Sequence, residues 1–266
     1  MLIPGLLILG CKTESETEGP SARELEEQTL QKNAITPDSL EEKRANAVDI
    51  QPISHATAVI NWNGTSIYLD PTGGAAAFEG KDSPDFVLIT DIHGDHMDAE
   101  TLQALDLGEI PIIAPQAVKD ELPTELHDHL HVMNNGDTHV ENGIQIEAIP
   151  MYNLREEALQ FHEKGRGNGY VLEKDGTRVY IAGDTEDIPE MRNLENISVA
   201  LIPMNLPYTM TVESAADAVI EFGPKKVYPY HFRGTEGMAD VDRFEELVNE
   251  GNSEVEVVRL DWYPNE

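Results

Sequence analysis

From Val48 onward, short runs of aliphatic and β-branched residues are separated by Gly, Asn, Asp and Pro, a pattern that predicts strands joined by tight turns. The first runs cover residues 48–53, 57–62 and 65–69, and Asn63-Gly64 supplies a hairpin turn between the second and third. A similar unit returns as residues 169–173, the turn Asp175-Gly176 and residues 177–181. Thr65, Ile67 and Tyr68 align on Thr177, Val179 and Tyr180 without gaps. This weak duplication predicts two related halves, each a sheet covered by helices. Helical spacing marks residues 97–105, 116–122, 211–222 and 240–248. In the third of these, Val212, Ala215, Ala216, Val219 and Ile220 share one face, which is therefore core rather than functional.

The pattern is different before Val48. Residues 12–47 are rich in Glu, Ser, Thr and Gln with few large apolar side chains, and read as a solvated acidic tether with a helix near residues 22–33. Residues 1–10 form an apolar run that ends in Leu9-Gly10-Cys11. The run is too short to span a bilayer, which takes about 20 apolar residues. It resembles a bacterial lipoprotein signal with Cys11 as the lipidated residue, although the basic segment that normally precedes such a run is missing. The expected organisation is a signal-like segment over residues 1–11, a tether over 12–47 and one catalytic domain over 48–266. That implies a lipid-anchored place in the bacterial cell envelope, or a cytoplasmic one if the signal is not genuine.

Length and charge narrow the functional classes. A chain of 266 residues suffices for one sizeable core plus a short extension. The formal charge of -32, from 50 acidic against 18 basic residues, disfavours binding to a phosphate backbone, and no Lys/Arg run offsets it. No nucleic-acid partner is expected. Cys11 is the only cysteine, so no intramolecular disulfide forms.

Candidate chemistry is concentrated where apolar runs end. Phe86-Val87-Leu88-Ile89-Thr90 leads into Asp91, His93, Asp95 and His96, four metal-ligand types within six residues. In extended chain Asp91, His93 and Asp95 would share one side, and Gly94 would permit the turn that brings His96 round. The alternative is a polar loop in which Asp91 or Asp95 caps the following helix. Two further runs, at residues 179–184 and 226–231, deliver Asp184 and His231, and His162 stands before a glycine-rich turn. Two adjacent ligand sets favour a paired-metal hydrolase.

Asp91-x-His93-x-Asp95-His96 resembles the His-x-His-x-Asp-His signature of the metallo-β-lactamase superfamily, with Asp91 departing at the first position. The resemblance extends over residues 48–266. Ser54-His55-Ala56 and Gly183-Asp184-Thr185 are similar to the branch with ascorbate-6-phosphate lactonase-like and N-acylphosphatidylethanolamine phospholipase D-like proteins. The resemblance implies a four-layer αββα sandwich of the α/β class. It also implies that Asp91, His93 and His162 hold one metal and that Asp95, His96 and His231 hold a second, with Asp184 bridging. Two divalent ions are expected, zinc by default for this nitrogen and oxygen set, with manganese or iron as alternatives that Asp91 would favour. The implied nucleophile is a metal-bound hydroxide, oriented by Asp95, which then carries a proton to the leaving group.

Other residues are weaker candidates. Arg166 or Lys164 would attract a phosphate or carboxylate, with Gly165, Gly167 and Gly169 letting backbone approach a ligand. Tyr208 and Arg233 are further candidates for touching substrate. Asp70 and His55 are candidates for supporting the ligands from behind. His127, His129 and His131 alternate, but nothing completes a coordination set around them, so they read as surface strand or loop. The expected function is metal-dependent hydrolysis of an ester, lactone, amide or phosphodiester in a small molecule or lipid. The rival is a non-catalytic metal-binding envelope protein on the same fold, in which Asp91 leaves an altered site with one metal.

Overall fold

The computed structural model describes residues 48–264. Cys11, the signal-like segment, the tether and the helix expected near residues 22–33 lie outside the described residues.

The first half of the described chain runs β1 (Val48–Ser54), β2 (Thr57–Trp62), β3 (Thr65–Leu69), β4 (Phe86–Leu88), α1 (Ala99–Ala104), β5 (Ile112–Ala114), α2 (Gln116–Glu121) and β6 (Leu130–Val132). Its strands form one sheet in sequential order, with antiparallel pairing through β3 and parallel pairing from β3 to β6. The second half adds β7 (Thr138–Glu141), β8 (Ile144–Met151), β9 (Gly167–Lys174), β10 (Thr177–Ile181), α3 (Pro189–Arg192), β11 (Val199–Pro203), α4 (Val212–Phe222), β12 (Lys226–Tyr230), the small β13 (Arg233–Gly234) and β14 (Gly237–Met238) pair, α5 (Val241–Gly251) and β15 (Glu256–Val257). Seven of these strands form the second sheet in the order β15-β12-β11-β10-β9-β8-β7.

Alternation along the strands assigns every layer. Ile60, Ile67, Leu69 and Leu88 of the first sheet and Ile146, Leu172, Val179, Ile181 and Leu201 of the second pack into one cluster between the sheets. Their neighbours point the other way. Val59, Tyr68, Val87 and Ile112 meet Leu102 of α1 and Val118 of α2, while Tyr180, Ala200 and Val227 meet Ala216 and Val219 of α4 and Phe244 of α5. Helices thus cover the outer face of each sheet, giving the αββα sandwich. Strands buried on both faces also explain why the runs read as continuously apolar.

The predicted duplication corresponds to a real equivalence. Each half contains a hairpin, β2-β3 or β9-β10, whose second strand pairs in parallel with the next one. The hairpin turn residues Asn63 and Asp175 both have φ near 50°, at 52° and 51°, and their side chains meet at 3.4 Å.

The ends of these elements exclude the capping alternative and show what two of the glycines accommodate. The cap of α1 is Asp98, which accepts hydrogen bonds from the backbone N–H of Glu100 and Thr101, so Asp91 and Asp95 are not helix caps. At Gly167 and Gly169 the space of the absent Cβ is taken by protein atoms. A Cβ on Gly169 would lie 2.7 Å from the Ala182 carbonyl oxygen, and one on Gly167 would lie 2.9 Å from that of Thr90. Their small size serves the packing of β9 against its own neighbours.

Candidate metal centre

The parallel strands β3 and β4 of one sheet and β10, β11 and β12 of the other deliver their carboxyl ends to a common edge, where α/β sheets place their ligands. β4 stops at Leu88, and the chain through 91–96 is a turn rather than extended strand. His96 and Met97 donate their N–H groups to the His93 carbonyl at 2.9 and 2.8 Å. Gly94 does not adopt a left-handed φ, so the turn does not depend on it in the expected way.

This turn divides the motif. Ligand atoms of Asp91, His93 and His162 all lie within 4.8 Å of one another, and so do those of Asp95, His96 and His231. Asp184, at the end of β10, stands between the two groups. Its Oδ2 is 3.3 Å from His162 Nε2 and 3.4 Å from His96 Nε2, and its Oδ1 is 3.5 Å from His231 Nε2. All seven residues predicted as ligands therefore converge. The alternating His127, His129 and His131 stay apart: His127 bonds the Leu122 carbonyl, and His131 stacks on His139 at 3.8 Å.

Donor chemistry and burial fit a cation. Among the described residues, buried His96 Nε2, His162 Nε2 and Asp184 Oδ1 have no hydrogen-bond partner, a costly state for polar atoms that metal ligation relieves. Nitrogen and carboxylate donors without cysteine suit zinc, manganese or iron.

Further residues hold several of these ligands in place. His96 Nδ1 lies 2.8 Å from Asp70 Oδ2 and 2.9 Å from Thr90 Oγ1. Asp70 is fully buried with φ 43°, and also accepts from the N–H and hydroxyl of Thr90, tying the end of β3 to the end of β4. His162 Nδ1 faces Asn153 Oδ1 at 3.3 Å, and Asn153 in turn donates to the carbonyls of Ala158 and Tyr208. The His231 backbone N–H donates to the His55 carbonyl, and Asn205 Nδ2 lies 3.5 Å from His231 Nε2. Asp70 thus takes the supporting place expected of it, whereas His55 meets His231 through backbone and ring-edge contact and not at its ring N–H. Thr90, Asn153 and Asn205 were not singled out, although Asn153 and Asn205 follow the apolar strands β8 and β11 just as Asp184 follows β10.

Electrostatics polarise the pocket. Burial acts to lower the His96 imidazole, but Asp184 and Asp70 outweigh it and hold the ring well above its usual range. Burial likewise works against ionised Asp184, yet His231 and His96 keep its carboxyl well below the usual value. Asp95 is depressed in the same sense: burial is outweighed by the hydrogen bond from His231 and the charge of His96. Its side chain remains 43 % exposed, the most accessible carboxylate of the set.

The weaker candidates separate. Arg166 is committed to Asp91 and the Phe161 carbonyl. Tyr208 packs edge-on against Phe161 with ring centroids 5.0 Å apart. Arg233 lies over the Tyr263 ring, with Nη1 3.5 Å from His55 Nε2, close to the His231 side of the site. Lys164 pairs with Glu190 at 2.6 Å.

Known proteins bear on this arrangement. The family profile described as a beta-lactamase superfamily domain matches residues 49–231. A UPF0173 metal-dependent hydrolase of Thermococcus onnurineus (strain NA1) is 31% identical over 194 residues, covering 69% of this chain and 85% of the relative. A crystal structure named as a metal-dependent hydrolase from Parabacteroides distasonis ATCC 8503 superposes with a TM-score of 0.68 at 36% identity, covering 80% of this chain and 92% of that one. Igni18, a metallo hydrolase of Ignicoccus hospitalis KIN4/I, shares the fold with a TM-score of 0.67 at 24% identity over 80% of this chain and 94% of its own.

Proposed function

The chain belongs to the metallo-β-lactamase superfamily as a metal-dependent hydrolase, and from that premise we propose that it holds two divalent ions, zinc by default, and cleaves an ester, lactone, amide or phosphodiester of a small molecule or lipid. The observation that carries the reading is the position of Asp184, within 3.5 Å of His96, His162 and His231 and so in reach of both ligand triads. Asp91, His93 and His162 would hold one ion, Asp95, His96 and His231 the other, and Asp184 both. Bound divalent ions supply Lewis acidity and bring the pKa of water down toward about 7.

The remaining work falls to the protein. Asp95, the most accessible carboxylate of the set, would accept a proton from a water in the cleft and return it to the leaving group. Its exposure keeps it in reach of both. Asp70 and Asn153 fix the rings of His96 and His162, which keeps the site rigid through turnover. Arg233 lies beside His55 on the His231 side, and an anionic part of the substrate would meet it there in exchange for its present contacts. Leu154 and Leu159, both exposed, border a cavity of about 490 Å³ that His162 also lines, which favours substrates carrying an apolar group.

Metal-replete protein is expected to turn over at least one of three chromogenic probes, a phosphodiester, a lactone and an N-acyl amide, and Asp95→Asn is expected to lose that turnover while keeping its fold. Turnover of none, or full activity in Asp95→Asn, overturns the reading. The Cys11 context supports a lipid anchor in a bacterial envelope. Its test is loss of the protein from the membrane fraction in Cys11→Ser.

A further inference from the structure

Asp91 occupies the position where the superfamily signature carries an imidazole, and its carboxylate is completely buried. Among the described residues it is also the one ligand carboxylate with a guanidinium on it. Arg166 Nε lies 3.3 Å from Oδ1 and Nη2 lies 3.2 Å from Oδ2, a forked pairing in which Nη2 is also anchored by the Phe161 carbonyl at 2.5 Å. The same Oδ2 faces inward, 2.6 Å from His93 Nδ1 and 3.8 Å from His162 Nε2. By contrast, among the described residues the ion-pair partners of Asp95 and Asp184 are histidines.

From this asymmetry we infer that Arg166 is a built-in cation that competes with metal for Asp91, and that it makes the Asp91-His93-His162 site the weaker of the two. The inference rests on the metal-centre reading above. A guanidinium is charged at every accessible pH, so Asp91 and Arg166 together carry the zero net charge of the neutral imidazole they stand in for. The pair differs from an imidazole in two respects. A positive charge sits a few ångströms from where a divalent ion must bind, and the carboxylate is already satisfied before any ion arrives. Both effects lower affinity at the first site and leave the Asp95-His96-His231 site untouched. Arg166 and His93 together give the buried carboxylate its charged and hydrogen-bonding partners.

The test is stepwise Zn²⁺ binding by the full chain, stripped of metal, in competition with a chromophoric chelator of known affinity. The native chain is expected to show two unequal steps. Arg166→Gln is expected to tighten the weaker step by about tenfold or more, because a unit charge so close to a divalent ion is worth several kT in a partly buried site. It should leave the stronger step unchanged. Arg166→Lys retains the charge and should keep the weak step weak, which separates charge from the packing of the 161–166 turn. If metal-free Arg166→Gln does not stay folded, the comparison is made from the loaded side, as Zn²⁺ loss to the same chelator, and slower or less complete loss from the weaker site is expected. A weaker step that is unchanged or weakened in Arg166→Gln overturns the inference, as does a change confined to the stronger step. A native chain that takes up no Zn²⁺ defeats the metal-centre reading itself.

Discussion

His96 Nδ1 lies 2.8 Å from Asp70 Oδ2, and neither side chain is exposed to solvent. This contact fixes which nitrogen of His96 is turned away from the site and leaves Nε2 toward Asp184 and Asp95. Asp70→Asn keeps the shape but removes the anionic partner of the ring. Loss of such a partner typically costs about 10- to 100-fold in metal affinity. Asp70→Asn should therefore retain less metal after dialysis against chelator, while its circular dichroism remains native.

Asp184 belongs to both triads at once, so its removal should act on both. Asp184→Asn is expected to lower metal content below that of the native chain and to reduce hydrolysis by more than the roughly 100-fold upper range for a supporting partner. Parallel elemental analysis and kinetics on the same preparation provide the check. Native metal content with native rates would remove Asp184 from its bridging place.

Much of this site was legible because ligands follow apolar runs. Asp184 after β10 and His231 after β12 both obey that rule, and the turn at 91–96 is dense enough in donors to stand out alone. His162 obeys no such rule; it lies in the long connection between β8 and β9, and its place before a glycine-rich turn marks it weakly until the family resemblance adds to it. The pairing of Arg166 with Asp91 joins residues 75 positions apart, and no local pattern encodes it. Thr90 and Asn153 act through hydrogen bonds behind the ligands, where residue type alone does not distinguish a supporting group from a turn residue. Gly167 and Gly169 show the opposite difficulty: the sequence reveals that a Cβ is missing but not what lies in its place. The layered fold was readable since period-two alternation and helical spacing each appear in runs long enough to assign.

Stability of the metal-free chain should depend on pH in a definite sense. His96 is held well above 6.5 by Asp184 and Asp70 despite burial, so its contribution is full below pH 6.5 and is lost as pH rises through the raised value. Asp184 is held well below 3.8 by His231 and His96 despite burial, so its contribution is present above pH 3.8 and is lost as pH falls through the lowered value. Thermal melts in chelator should therefore show a maximum between those limits and a decline toward alkaline pH. A flat profile from about pH 6.5 to 9 contradicts the assignment for His96.

Gly169 packs against the end of β10, where an added Cβ would meet the carbonyl oxygens of Ala182 and Ile181 at 2.7 and 2.9 Å. These are backbone atoms of a central strand and cannot swing aside. Gly169→Ala should destabilise the fold by about 1–3 kcal/mol, the usual range for overpacking. It should also disturb Asp184, two residues beyond Ala182. Denaturant unfolding of the loaded protein measures the first effect, and metal retention the second.

The central claim is that Asp91, His93, Asp95, His96, His162, Asp184 and His231 enclose a pair of cations. Anomalous diffraction from crystals grown with Zn²⁺ tests it most directly. The account predicts two peaks, one within coordination distance of Asp91, His93 and His162, the other of Asp95, His96 and His231, with Asp184 reaching both. Peaks elsewhere, or none in this pocket, would contradict it.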